Sequence, residues 1–403
     1  MDFNDSAEEA SYRREVRVFL EAQAPAYESA AKDERQLLEK ARAWQAAKAD
    51  AGFGCITWPK EWGGIGGSAM QHIIFSEEEA QYALPSGFFQ VGLGMCLPTI
   101  MTVADEATKR RFVRPAMRGE EIWCQLFSEP AAGSDLAAVR TRATCEGDVW
   151  VVDGQKVWVT VAHVADYGLL LARSDLTAPK HKGLTMFWLD MRAPGVEVRP
   201  IHQVSGKSSF NEVFFDGVRI PDAQRLGQVG DGWKVALVTL MNERLAVGGA
   251  RGPDTPDVIR LARSIPTQRG SALEDPAFRD RLADWYVQST GLKLNRLRML
   301  TALSRGETPS AGASIGKIVA TNLLQEETRE LLDLCDQFGM ISDPALAPMA
   351  GDIQRHFLQV AGSRLAGGTD EILKNILAER VLGLPGDPRI DKDKPFKQIP
   401  VGS

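Results

Sequence analysis

From about Glu121 to Gly227 the apolar residues of this chain alternate or run in short blocks, whereas on either side they recur at helical spacing. That change of period constrains the fold more than any single motif, because a period-two pattern cannot bury one face as a helix, nor a 3.6 pattern as a strand. On the N-terminal side, Tyr12, Val16 and Phe19-Leu20 share a helical face, and Ala/Glu/Lys/Arg-rich stretches follow. In the middle, Val149 to Val152 and Gln155 to Thr160 flank Asp153-Gly154, which predicts a two-residue hairpin. Further strands are expected at Tyr167 to Ala172, Leu184 to Leu189, Val196 to Ile201 and Asn211 to Phe215.

On the C-terminal side the pattern predicts helices from about Trp233 to Ala250, Asp280 to Leu303, Ala313 to Phe338 and Gly351 to Leu365. A last helix begins near Thr369-Asp370, where either side chain can cap it, and stops before Gly383 and Pro385. The tail from Asp387 to Ser403 is polar and expected to be loosely held. The fold class is therefore α+β and mostly α, with an N-terminal helical domain over 1–122, a central antiparallel β domain over 123–228 and a C-terminal helical bundle over 229–403.

Composition narrows the function. A net charge of −6 with no dominant basic face argues against nucleic acid or an anionic membrane as partner. The N-terminus has no signal pattern, and no apolar run is long enough to span a bilayer. The cysteines, Cys55, Cys96, Cys124, Cys145 and Cys335, are scattered without a CxxC pair, so a reduced cytoplasmic protein is the expectation. His72, His163, His181, His202 and His356 lack metal-ligand spacing and no metal is expected. No GxSxG elbow suggests a serine nucleophile.

Two local features point to chemistry. The run Gln125-Leu-Phe-Ser-Glu-Pro-Ala-Ala-Gly-Ser-Asp135 begins as an apolar strand and ends in a tight polar turn, which brings backbone N–H groups and small hydroxyls within reach of a ligand. Farther on, Ala236, Leu240, Glu243, Val247 and Ala250 fall at i, i+4, i+7, i+11 and i+14. Glu243 is the polar interruption of that stripe, where burial favours its neutral form. The commoner fate of a helical Glu is a surface pair, here with Arg244 or Arg251. The glycine-rich loop Thr57 to Gly67 does not follow a strand as a phosphate-binding loop would and reads as structural, near a ligand mouth.

Four blocks in order resemble the acyl-CoA dehydrogenase family, over nearly the whole chain. They are Phe127 to Asp135, Gly154 to Thr160, Asn211 to Pro221 with Gly230 to Trp233, and Gly367 to Ile372 with Ala378-Glu-Arg380. The resemblance implies FAD bound between the β domain and the C-terminal bundle, and removal of two hydrogens from an acyl-CoA to give the 2,3-enoyl-CoA. It implies that Ser128 meets the flavin ring with Gln125 and Phe127 beside it, that Trp158 flanks the ring and Thr160 bonds near its N5, and that Ser134 contacts the CoA. Thr369 and Glu371 match residues at the pyrophosphate and adenine end, and Gln337 and Gly339 match the remnants of a Gln-x-x-Gly-Gly element.

The base is the sharper question. Many members carry a Glu where this chain has Gly367, and a glycine cannot take a proton. Members of the isovaleryl and long-chain type place it instead on the helix after the β domain, and the run Leu240 to Leu245 puts Glu243 there. The base takes the α-proton while hydride leaves the β-carbon for flavin N5. The backbone N–H of Gly367 keeps a role in polarising the thioester carbonyl. Glycine at 367 is compatible with a branched or bulky acyl chain. The Arg-x-x-Phe-Gly run expected near Pro253 to Gly270 is not recognisable. The expected acceptor is an electron-transfer flavoprotein, and the expected assembly a homo-oligomer, dimer or tetramer, or a heterotetramer with a homologous subunit. The rival readings are a partner subunit with a reduced FAD site, and an acyl-CoA oxidase that forms peroxide.

Overall fold

The computed structural model describes residues 5–28, 33–247, 258–259, 262–263, 266–267, 270–304, 312–386, 388, 391 and 393–399. The chain divides into two compact units. The first comprises Met1–Ile201, Ser209–Glu243 and Arg389–Ser403, and the second His202–Ser208 and Arg244–Pro388.

The first unit opens with α1 (Ala7–Gln23), α2 (Glu34–Asp50), α3 (Ala69–Glu79), α4 (Leu97–Val103) and α5 (Glu106–Met117). Their starts are written in the sequence. Ser6 and Glu9 form a capping box on α1, Ser68 and Gln71 form another on α3, and the Asp105 carboxylate accepts from Thr108 N at 2.7 Å on α5. Val16, Leu20, Trp44, Phe53 and Phe75 join the first three helices in one apolar cluster. Burying each such side chain contributes about 1.5–3 kcal/mol. A π-helical turn, Gly92–Cys96, leads directly into α4.

The sheet follows: β1 (Trp123–Leu126), β2 (Arg142–Glu146), β3 (Val149–Thr160), β4 (Tyr167–Arg173), β5 (Leu184–Asp190), β6 (Val196–Ile201), β7 (Phe210–Pro221) and β8 (Arg225–Leu226). The order is β6-β7-β3-β2-β4-β5-β8, with β1 added beside β4. Most neighbours are antiparallel, but β1 and β2 each meet β4 in parallel. Leu170 and Ala172 of β4 enter one apolar cluster while Leu169 and Leu171 enter another with Phe112, Val113, Val235 and Ala236. Burial on both faces explains why β4 reads as an unbroken apolar run rather than an alternation.

The hairpin expected at Asp153-Gly154 does not form. Residues 149–160 are one strand, and the turn lies earlier, at Gly147-Asp148 between β2 and β3. Asp153 instead accepts from Gly217 N at 2.9 Å, where β7 carries an extra residue. A Cβ on Gly154 would lie 2.6 Å from Thr141 Oγ1, so glycine is required there by close packing and not by a turn. A second register shift, between Lys156 and Val159, puts the extra residue in β3. It swaps which residues face inward. Trp150, Val152 and Lys156 are buried before it, Val159 after it, and Trp158 is turned outward with φ +60° and 59% exposure.

Between these shifts lies a buried strut. Lys156 Nζ, fully shielded from solvent, donates to Phe127 O at 2.9 Å and to Glu129 Oε1 at 2.8 Å. The Glu129 carboxylate also accepts from Arg140 N at 2.6 Å and Thr141 N at 2.8 Å. Burial pushes the Lys156 ammonium down to about 8. Burial would raise Glu129, but Lys156 and the two amides outweigh it and hold the carboxyl below its usual range.

The tail is also tied down, contrary to expectation. Phe396 is buried under the guanidinium of Arg173 at 3.7 Å, its N donates to Ala178 O at 2.9 Å, and Lys397 N donates to Leu176 O at 3.0 Å. Lys180 bridges Asp391 and Asp135, at 2.8 and 2.9 Å. Helix α6 (Gly232–Val247) follows the sheet, and the part expected beyond Val247 lies outside the described residues.

The second unit holds the short strands β9 (Pro266–Thr267) and β10 (Gly270–Ser271) and the helices α7 (Pro276–Ser304), α8 (Gly312–Leu334), α9 (Asp352–Ser363) and α10 (Asp370–Arg380). Helix α8 stops short of the expected Phe338. The chain turns at Asp336, φ +47°, into a 3-10 segment, Asp336–Met340. Phe278, Trp285, Leu323, Leu331 and Ile353 form its core. Glu327 lies one turn from both Leu323 and Leu331 on α8, is fully buried, and neither carboxyl oxygen has a hydrogen-bond partner.

Two outcomes are expected. Lys156→Met strands the Glu129 charge and costs about 3–5 kcal/mol, read as a lowered denaturant midpoint. Burial, then Glu326, raises Glu327 from 4.5 to about 8, so the folded state binds the proton more tightly than the unfolded one. Its favourable contribution is complete below pH 4.5 and is lost as pH rises to about 8. Thermal unfolding between about pH 5 and pH 9 should decline less steeply with pH in Glu327→Leu than in the parent.

Candidate active site

The run that stands out in the sequence is built by β1 and the strut. Glu129 and Ala132 exchange both backbone hydrogen bonds, at 3.0 and 3.1 Å, closing a tight turn at Pro130-Ala131. Val157 N donates to Ser128 O at 2.9 Å, so half-buried Ser128 lies against the strand residue that precedes Trp158. Phe127 is a core residue, 3% exposed. Ser134 is exposed, and the next residue, Asp135, is anchored by Lys180. Thr160 closes β3 opposite Phe210, whose ring meets Trp158 edge-on at 5.9 Å. Ser128 thus lies beside the end of β3 that carries Trp158 and Thr160. Nothing in the sequence hinted at Lys156, because a lysine in a strand pattern ordinarily faces water.

Glu243 lies in the same unit. The buried side of α6 comprises Val235, Ala236 and Thr239, with Leu240 and Glu243 half-buried. Thr239 Oγ1 meets Thr99 Oγ1 at 3.0 Å, fully buried, and pins α6 to α4 one turn before Glu243. Gln125 Nε2 donates to Glu243 Oε2 at 3.3 Å. Cys96, at the end of the π-helical turn, is buried; desolvation, then Cys124 and Glu243, push its thiol well up. The surface pairing weighed for Glu243 with Arg244 and Arg251 lies outside the described side chains, as do Val247 and Ala250 of the stripe. Asn242, Glu243's neighbour, faces a cleft of about 570 Å³ lined by Trp58, Pro59, Trp62 and Met101, so the Thr57 to Gly67 loop borders an opening.

The remaining expected residues belong to the second unit. Thr369 caps α10, its Oγ1 accepting from Ile372 N at 3.3 Å, while Asp370 is buried and accepts from Arg364 Nη2 at 2.5 Å. That settles which of the two side chains caps the helix. Gly367 and Gly368 take left-handed backbone at φ +67° and +95°, where a side chain is disfavoured, and Lys317 Nζ holds the turn through Gly368 O at 2.8 Å. Glu371 is exposed in the first turn of α10, Gln337 is exposed and Gly339 half-buried in the 3-10 segment. The region of the missing Arg-x-x-Phe-Gly run lies mostly outside the described residues.

Each unit by itself offers a feature that suits part of a flavin dinucleotide. The indole of Trp158 presents a planar face at the surface, held there by the bulge. The N-terminus of α10, preceded by two glycines, offers backbone N–H groups and a dipole to an anion. His163 is tied to Glu34 at 2.9 Å and to Asn211 at 3.2 Å. Among the described residues no cluster of His, Cys, Asp and Glu could hold a metal, and no helix is long and apolar enough to cross a membrane.

Three family models match in order: acyl-CoA dehydrogenase, N-terminal domain, over residues 6–120; middle domain, over 124–218; and C-terminal domain, over 230–382. Acyl-CoA dehydrogenase FadE34 of Mycobacterium tuberculosis is 37% identical across 85% of this chain, which spans 46% of that longer protein. Acyl-CoA dehydrogenase IpdE1 of the same organism is 35% identical, with 87% of this chain and 90% of the relative covered. Among solved structures, the Tcur3481-Tcur3483 steroid ACAD is similar with a TM-score of 0.81 and 29% identity, over 96% of this chain and 100% of that one. The ChsE4-ChsE5 complex from Mycobacterium tuberculosis follows with a TM-score of 0.79 and 27% identity, over 96% and 100%. With all three domain types in sequence and a relative at 35% identity over most of both chains, this protein is an oxidoreductase that belongs to the acyl-CoA dehydrogenase family.

Proposed function

We propose that this chain is an FAD-dependent acyl-CoA dehydrogenase that converts an acyl-CoA to its 2,3-enoyl-CoA, with Glu243 as the base. One observation carries the assignment: Glu243 emerges from the buried side of α6 and meets Gln125, three residues before Ser128. In that position the carboxylate can take the proton from the α-carbon of a thioester. The N–H of Gly367, on its left-handed backbone, would donate to the thioester oxygen as negative charge develops there. Phe127, Ser128, Trp158 and Thr160 would hold the ring end of FAD, with Gln125 beside them, and Gln337, Gly339, Thr369 and Glu371 its pyrophosphate and adenine end. Ser134 would contact the CoA. FAD, when bound, supplies the acceptor for the β-hydrogen as hydride.

The likeness to a steroid ACAD supports a bulky, ring-bearing acyl group as substrate, in keeping with glycine at 367. An electron-transfer flavoprotein would take the electrons, in the cytoplasm. The likeness to a two-protein complex supports a heteromeric assembly with a homologous subunit over a homo-oligomer. The chain expressed alone would then be colourless, and yellow only when co-expressed with its partner; a yellow chain expressed alone overturns the heteromeric reading.

The decisive experiment offers the yellow holoprotein a panel of short, long, branched and steroid-ring acyl-CoAs with an artificial electron acceptor. Glu243→Gln should keep its FAD and lose turnover by about 10²–10⁴-fold. Normal turnover in that variant would sink the base assignment.

A further inference from the structure

The hydrogen bond between Gln125 and Glu243 joins two rigidly mounted groups. Gln125 projects from β1 between buried Cys124 and Leu126, and β1 is locked in parallel register to β4, with Gln125 opposite Leu169. Glu243 projects from α6, which the Thr99–Thr239 bond pins one turn earlier. Neither end can drift without breaking a buried contact. After desolvation and Cys124, the same carboxylate also helps to keep the buried Cys96 thiol protonated.

The chemistry of the partner matters. A lysine or arginine in place of Gln125 would hold the carboxylate by charge and make it a poor base. An amide donates one directed N–H without a net charge. It can fix the orientation of the carboxylate without itself placing a charge beside it.

We infer that Gln125 is a positioning residue for Glu243, aiming the carboxylate from β1 rather than serving chiefly as a cofactor contact. The inference rests on the reading of Glu243 as the base. The role is assigned by a 3.3 Å bond between side chains 118 positions apart in sequence, a separation at which no local pattern places the two together.

The test uses the holoprotein and Gln125→Leu, a near-isosteric change that removes the donor. The carboxylate stretching band of Glu243 is isolated by subtracting the infrared spectrum of Glu243→Gln, with no substrate present. The band should shift in Gln125→Leu, while FAD bound per chain and the thermal midpoint stay at parent values. With octanoyl-CoA and a steroid-ring acyl-CoA as probes, kcat should fall about ten- to a hundredfold, with KM changed less than about twofold. An unshifted band overturns the inference, and loss of FAD with an unshifted band returns Gln125 to the cofactor. Full turnover in Glu243→Gln would remove the base reading alone, because the infrared comparison reports the contact independently of catalysis.

Discussion

The buried pair of Lys156 and Glu129 is the constraint on which the rest of the first unit hangs. Two charges removed from water are tolerated only when their hydrogen-bonding capacity is met, and here the Lys156 ammonium reaches a carboxylate and a carbonyl while the carboxylate collects two backbone amides as well. Through these bonds a single lysine fixes the exit of β1, the turn after it and the start of β2 against β3. Apolar residues of the same volume would pack as well but would leave the Arg140 and Thr141 amides without an acceptor. The pair gives direction where a hydrophobic contact gives only proximity.

That direction shows in Trp158. Two residues beyond the strut, the extra residue in β3 reverses the facing of the strand, and an indole that plain alternation would bury beside Trp150 and Val152 is turned out. Its backbone at φ +60° is an unfavourable region for an aromatic residue, of order 1–3 kcal/mol, and persists because the flanking ladder overdetermines it. Strain at a residue that the family resemblance places beside the flavin is what a site shaped for a flat ligand would show.

How much of this was legible follows from the range of each interaction. The start of α10 was legible at Thr369-Asp370 because a cap acts over three residues, and Thr369 makes that bond. The described part of the stripe, Ala236, Leu240 and Glu243, was legible from spacing, because all three lie on the buried or half-buried side of α6. The hairpin was misread because Asp-Gly signals a turn only when nothing else claims the pair, and here Gly217 N claims Asp153 while Thr141 packs on Gly154. The end of α8 was overrun because apolar residues continue past Leu334 into a 3-10 segment. Lys156, Thr239 and Gln125 owe their roles to partners 27 to 140 positions away, beyond any window of the sequence.

The tail has a consequence for the order in which the molecule is made. Arg173 gathers the carbonyls of Ala137, Val139 and Lys180 in the middle of the first unit, yet the ring that covers it, Phe396, comes more than two hundred residues later. During synthesis the whole helical second unit emerges before that cover exists. Whatever of the first unit forms before then lacks this cover, so that completion of the first unit waits on translation of the second.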